Sequence, residues 1–216
     1  VIFGNVAKLS TDGLPPFLFY TAGNTLWLYF SMCLTSTANT FTANAAIFGK
    51  VYFPRLAIPV STVISNLISF ALRFAVFLAF FLYFYLSGAA VRLTWWAASL
   101  PLLLLLMAGL GLGFGIIVSS LTTKYRDLQQ LVVFGAQLWM YATPVIYPLS
   151  TVPEGWKWLL LANPLTPVVE VFRLGFLGVS AVSPLSLLYS FGFMTAVLLV
   201  GVLIFNRVEN TFMDTV

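Results

Sequence analysis

Leu93-Thr-Trp-Trp-Ala-Ala-Ser-Leu-Pro-Leu-Leu-Leu-Leu-Leu-Met-Ala-Gly-Leu-Gly-Leu-Gly-Phe-Gly-Ile-Ile-Val-Ser-Ser-Leu-Thr-Thr123 contains no charged residue and does not alternate apolar with polar positions. About 20 apolar residues cross a bilayer as helix, because each adds about 1.5 Å across roughly 30 Å of hydrocarbon. Residues 13–49, 128–153 and 174–206 are likewise uncharged, and residues 56–91 are interrupted only by Arg73. Hydrophobic residues make up 61% of the 216 and charged ones 7%, against roughly 25% charged in soluble domains. The mean hydropathy of +1.01 agrees. A membrane β-barrel would need alternating strands of about 10 residues, which runs such as residues 74–84 and 101–107 exclude. The chain is therefore an all-α integral membrane protein, read as one domain over residues 1–216.

Composition also removes function classes. There is no histidine and only six carboxylates, a poor supply for proton relays or metal cages. Cys33, the single cysteine, has no partner for an intrachain disulfide. Gly109, Gly111, Gly113 and Gly115 lie in an apolar helix rather than after a strand, so they form two overlapping G-x-x-x-G pairs for close helix packing, not a phosphate cradle. Gly49-Lys50 is followed by valine and lacks the Walker spacing. No enzyme, bound cofactor or nucleic-acid partner is expected of this chain. The opening Val1-Ile-Phe-Gly-Asn-Val6 reads as the tail of a helix, so an N-terminal segment is expected to be missing.

Proline, glycine and charge divide the rest into spans at about 17–47, 56–86, 95–121, 128–147 and 184–205. Lys50, Arg55, Lys124, Arg126 and Arg207 then fall on one side, and Lys8, Arg92 and Lys157 on the other. The positive-inside bias puts the first set and the C-terminus in the cytoplasm. Residues 154–179 are apolar but cut by Asn163-Pro164 and Pro167. Two legs of about ten residues are too short to span, so a re-entrant hairpin before the last helix is expected. Glu170 and Arg173, three residues apart, share a helical face; they are either a salt bridge locking the hairpin or a polar gate. Arg73 stands too deep in its span for easy snorkelling and is expected to meet backbone carbonyls at a helix break or an anionic lipid phosphate. Asp127 can cap the helix that follows it. Ala45, Ala46, Ile47 and Phe48 are too apolar for a free loop, which favours a protein contact.

Lys50-Val-Tyr-Phe-Pro-Arg-Leu56, Lys124-Tyr-Arg-Asp127 followed by Gln137-Leu-Trp-Met-Tyr141, and Pro144-Val-Ile-Tyr-Pro148 form an ordered series. Asn163-Pro-Leu-Thr166 with Glu170-Val-Phe-Arg173, and the tail Glu209-Asn-Thr-Phe-Met-Asp214, extend it over nearly the whole chain. Together they resemble the permease subunit of ABC-2 type transporters (type V ABC exporters) that export O-antigen polysaccharides or teichoic acids. The resemblance implies six transmembrane helices per subunit, a homodimer in the bacterial cytoplasmic (inner) membrane, and two copies of a separate ABC ATPase subunit that holds ATP and magnesium. The implied cargo is a lipid-linked polysaccharide; efflux of drugs or another lipid is the alternative. It also implies an ATPase-coupling loop at Asn44, Ala45, Ile47, Phe48, Lys50 and Tyr52, and a second cytoplasmic turn at Lys124, Tyr125, Arg126 and Asp127. A re-entrant gate would include Asn163, Pro164, Glu170 and Arg173, with Arg73, Trp139, Tyr141 and Tyr147 as candidate conduit lining.

Overall fold

The computed structural model describes residues 11, 13–40, 43, 56–122 and 128–213, with side chains as far as Arg207. Among these residues there is no strand. Helix α1 (Pro16–Ala38) opens with Pro16 in its first turn, where the missing N–H costs nothing. It ends at Ala38, before the expected Ile47, and the Asn39 N–H closes it on Thr35 O at 3.3 Å. The expected coupling loop from Asn44 to Tyr52 and the turn from Lys124 to Asp127 lie outside the described residues.

Helix α2 (Ala57–Leu86) follows its expected bounds. A 3-10 turn (Trp95–Ser99) leads into α3 (Leu100–Thr122), again as expected. Helix α4 (Leu128–Tyr141) corrects the expected span of 128–147. Its 14 residues reach only about 21 Å. Pro144 explains the early stop: it has no N–H to donate, and its ring pushes the preceding residue out of helical geometry. The interruption at Asn163-Pro164 yields α5 (Glu154–Leu161) and α6 (Leu165–Leu177), which meet at 98°. Helix α7 (Leu187–Met213) closes the chain.

Three helical stretches among the described residues are long and apolar enough to cross a membrane: Ala57–Leu86, Trp95–Thr122 and Pro184–Arg207, or four if the bent α5–α6 pair is one span. Burial varies sharply among the helices. Only five of the 30 residues of α2 are buried, and it exposes Ile64, Ile68, Leu72, Val76 and Leu82. By contrast 12 of the 13 residues of α6 are buried, as are 13 of the 23 of α1. The bundle thus has an apolar rim around a centre built from α1, α3 and α6.

The α3 glycines make that centre possible. Gly111 and Gly115 face α1, where an added Cβ would stand 2.7 Å from Cys33 Cβ and 2.5 Å from Thr37 Cβ. Gly109 and Gly113 face α7, at 2.3 Å from Met194 Sδ and 2.9 Å from Val197 Cγ1. Each i,i+4 pair therefore serves one neighbour, and α3 packs closely on both sides at once.

Candidate functional site

The break between α5 and α6 frees backbone groups that a straight helix would pair internally. Side chains of α6 and α7 take them up. Thr166 Oγ1 donates to Leu160 O at 2.6 Å, Tyr189 OH to Ala162 O at 2.6 Å, and Ser190 Oγ to Pro164 O at 2.7 Å. Asn163 sits at the corner: its Nδ2 donates to Thr143 Oγ1 at 2.8 Å and Ala142 O at 3.0 Å, while its Oδ1 accepts from Leu165 N at 3.1 Å. At the other end of α6, Gly178 adopts φ +78° and its N–H donates to Arg173 O. The segment before the 3-10 turn covers the remaining carbonyls, with Thr94 N donating to Gly175 O and Thr94 Oγ1 to Leu174 O, both at 2.8 Å. Gly175 allows this approach, since a Cβ there would lie 2.9 Å from Ala97 N.

Inside α6, Glu170 and Arg173 form an ion pair at 3.1 Å. They are 3% and 1% exposed. Isolated buried charges are costly, and both are answered by several partners. Glu170 Oε2 accepts from Ala181 N at 2.9 Å. Arg173 Nη2 donates to Val145 O at 2.7 Å, and the guanidinium carbon lies 3.8 Å above the centre of the Phe19 ring. Gly23 makes room, because a Cβ there would reach within 2.5 Å of Val145 O. One cluster thus joins α1, α6, the segment after α4 and the segment before α7. Its partners Gly23, Phe19, Val145 and Ala181 carry no sequence signal that sets them apart, and they emerge only from the fold.

The second feature is the accessible face of α1. Thr21, Asn24, Leu28, Ser31 and Thr35 recur at three- and four-residue steps and are not buried, with Ser36 beside them. Elsewhere in α1 the large apolar side chains Phe19, Leu26, Trp27 and Phe30 are buried. Thr21 Oγ1 donates to Phe17 O at 2.7 Å, Thr35 Oγ1 to Ser31 O at 2.8 Å, and Ser36 Oγ to Met32 O. Their protons are therefore committed to the helix; the Thr21 and Thr35 oxygens are left to accept, while Ser36 Oγ already accepts from α2. This spacing was readable from the sequence as a polar stripe on an otherwise apolar helix, and the sequence reading passed over it.

The remaining site residues separate. Trp139 is wedged edge-on between Phe30 and Phe114, with ring centres at 5.3 and 5.1 Å. Tyr141 is exposed, and Tyr147 OH donates to its carbonyl at 2.9 Å, fastening the segment after α4. Arg73 is half-buried against α1, with Nη1 3.0 Å from Met32 Sδ. Seven residues earlier on the same face of α2, Asn66 Nδ2 donates to Ser36 Oγ at 3.1 Å. No group of three or more potential metal ligands occurs among the described residues.

Membrane-length apolar helices around a broken buried helix and a polar-faced helix define a multi-pass membrane protein. The chain belongs to the ABC-2 type transporter family, whose model matches residues 1–177. Among its relatives, an O-antigen export system permease protein RfbA of Klebsiella pneumoniae is 33% identical over 199 residues, covering 91% of this chain and 74% of that protein. A second protein of that name from the same species is 32% identical over 198 residues, with the same coverage. The RfbA permease of Myxococcus xanthus is 29% identical over 177 residues, covering 80% of this chain and 65% of its own.

Proposed function

We propose that the chain is the membrane-spanning subunit of an ATP-driven exporter that moves a lipid-linked polysaccharide of O-antigen type out across the cytoplasmic membrane of a bacterium. ABC-2 family membership and the relatives named as O-antigen export permeases support this reading. The observation that carries it is the accessible face of α1, which is polar while α2 and α7 expose leucine, isoleucine and phenylalanine. A polar face at hydrocarbon depth is costly against lipid and is tolerated where it lines a watery passage. A row of oxygen acceptors that are not charged suits a polyol, whose hydroxyls can donate in turn without being held at any one position.

In this reading two copies of the chain face each other across the α1 stripes. Two ATPase subunits, which hold ATP and magnesium, sit below, and the C-terminus is cytoplasmic. The loop with Asn44, Ala45, Ile47, Phe48, Lys50 and Tyr52, and the turn Lys124-Tyr-Arg-Asp127, are the ATPase contacts. The α5–α6 pair enters from the outer side and returns, since a 13-residue α6 is too short to span. With Glu170 and Arg173 almost wholly buried, the pair serves as a lock that holds this segment rather than as a surface for the glycan.

A cysteine scan tests the passage. On a Cys33→Ser background, Asn24→Cys, Ser31→Cys and Thr35→Cys are expected to react with a membrane-impermeant thiol reagent. Ile68→Cys and Leu199→Cys, on the apolar rim, are expected to stay unlabelled. Equal protection of both sets would remove the conduit reading.

A further inference from the structure

Arg73 lies 16 residues after the start and 13 before the end of α2, so about 20 Å of helix separates it from the nearer end. The 30-residue helix overhangs a roughly 30 Å core, so with the helix centred about 13 Å separates Arg73 from the nearer interface, still beyond the easy reach of an arginine side chain. A guanidinium offers five N–H donors. Among the described residues its one polar contact is Met32 Sδ at 3.0 Å, and a thioether is a weak acceptor. The two carboxylates with described side chains are already engaged: Glu154 with Lys157 and Glu170 with Arg173. The contrast with Arg173 is direct. That guanidinium is buried with a carboxylate, a carbonyl and an aromatic face around it, whereas Arg73 is only half-buried and has no anion beside it among the described residues.

Its position is specific as well. Asn66, Phe70 and Arg73 on α2 meet Ser36, Tyr29 and Met32 on α1, which sets Arg73 at the edge of the polar stripe between Leu28 and Thr35. A charge at such depth usually meets a partner or a watery cavity. Among the described residues no anion stands beside this cation at the edge of the stripe, which leaves the place open to a partner from outside the chain. The anion has to enter at hydrocarbon depth, and a group joining an apolar tail to a polar head does so naturally. The planar fork of arginine suits two oxygens of one phosphate.

We propose that Arg73 is a binding site for the phosphate or diphosphate ester of a lipid, presented beside the α1 stripe. The assignment rests on the conduit reading above for the stripe's access to such a ligand. Two lipids carry this chemistry: the exported carrier and bulk anionic phospholipid.

The test uses the complete permease with its ATPase subunit, purified in detergent. Retention of polyprenyl diphosphate, phosphatidylglycerol and phosphate-free polyprenol is read by native mass spectrometry. Wild type is expected to retain a phosphate-bearing probe over polyprenol. Arg73→Gln is expected to weaken that retention by about 10- to 100-fold, the loss of a charge-assisted pair, while Leu72→Gln on the exposed face leaves it unchanged. Met32→Glu is an independent arm, since it gives Arg73 a resident carboxylate in place of the sulfur and should displace the lipid while the complex still assembles. Loss confined to the diphosphate assigns the site to the exported carrier; equal loss of phosphatidylglycerol assigns it to bulk lipid. Retention at the wild-type level in Arg73→Gln, or in Met32→Glu where Arg73→Gln fails to assemble, overturns the proposal. So does a dimer that falls apart in Arg73→Gln with retention intact, which would place the counter-ion on the second copy. The cysteine scan does not depend on Arg73: a labelled stripe with unchanged lipid retention defeats this site alone, and an unlabelled stripe defeats the conduit.

Discussion

Exchanging the charges of Glu170 and Arg173 should not restore the protein, although simple pairing logic says that it should. The reason is that each charge has its own backbone partner. Glu170→Ala leaves a guanidinium that is 1% exposed without its carboxylate, and breaking a buried pair in this way costs about 3–5 kcal/mol. Replacing both by apolar residues, Glu170→Leu with Arg173→Met, removes both charges and is close to neutral on that account. What remains is the carbonyl of Val145, a fully buried residue, whose lost partner costs about 1–3 kcal/mol. Ala181 is an exposed residue, so its N–H finds another partner at little cost. The exchanged double variant is worse than either. It turns a guanidinium toward the Ala181 N–H and a carboxylate toward the Val145 carbonyl and the negative face of the Phe19 ring. The expected order of loss is therefore apolar double, then single, then exchange. Unfolding of the purified protein in mixed micelles, followed by tryptophan fluorescence, gives the three values. Recovery of the exchanged variant to within about 1 kcal/mol of wild type would refute the claim that backbone partners set the polarity of this pair.

The α3 glycines should rank by what yields. Gly115→Ala drives a Cβ to 2.5 Å from Thr37 Cβ and 3.0 Å from the Leu34 carbonyl, so about 1–3 kcal/mol should be lost. Gly109→Ala meets only the flexible Met194 side chain within 3 Å and should lose less. Gly192→Ala in α7 meets nothing within 4 Å and should be neutral or slightly stabilising; thermal unfolding by size-exclusion chromatography reads all three. Asn163→Ala removes the three hydrogen bonds at the α5–α6 corner and should lower stability by about 1–3 kcal/mol. Asn163→Asp should keep the Leu165 contact and recover part of that loss. Phe48→Asp should leave the permease in the membrane but uncouple ATP hydrolysis from export, measured as ATPase rate per unit of surface glycan; a wild-type ratio would contradict the coupling role.

Most of the rim was legible in the sequence, because lipid is a uniform solvent and span length follows from hydrocarbon thickness. The bounds of α2, and of α3 taken with the 3-10 turn that leads into it, came out within a residue or two for that reason. The bend at Asn163-Pro164 was also readable, since proline removes a donor and restricts its predecessor. The same rule applied at Pro144 would have shortened α4, and the uncharged run of residues 128–153 hid it. Helix α1 shows the opposite failure. It is too polar to pass as a lipid-facing span, yet it is central to the bundle, because its apolar side packs on α2 and α3 while Thr21, Asn24, Ser31 and Thr35 stay accessible. The partners of the Glu170–Arg173 pair were beyond reach: Val145 and Ala181 act through backbone groups, Phe19 through its aromatic face and Gly23 through a missing Cβ.

If the cargo is the lipid-linked polysaccharide proposed above, these parts divide the work of moving it by the strength of their contacts. A polymer must be held weakly at many places, because a tight site would stall it. The α1 stripe offers such contacts, since the Thr21 and Thr35 hydroxyl protons already belong to the helix, which leaves their oxygens to accept, and exposed Asn24 adds an uncharged amide. Strong contacts belong where nothing should move, and the buried charges of α6 are spent there, fixing a helix too short to anchor itself. Arg73 fits neither group. It is as strong a donor as Arg173, but it is half-buried and borders the stripe rather than the core. A strong site beside a weak track suits an event that happens once per molecule rather than once per repeat. The phosphate that joins tail to glycan meets that condition, and so loss of Arg73 should hit the capture of each new substrate while leaving the passage of an engaged chain unchanged. In a single-turnover export assay, Arg73→Gln should lengthen the lag before the first glycan reaches the surface and leave its later rate of appearance intact. The reverse pattern would place Arg73 on the track itself.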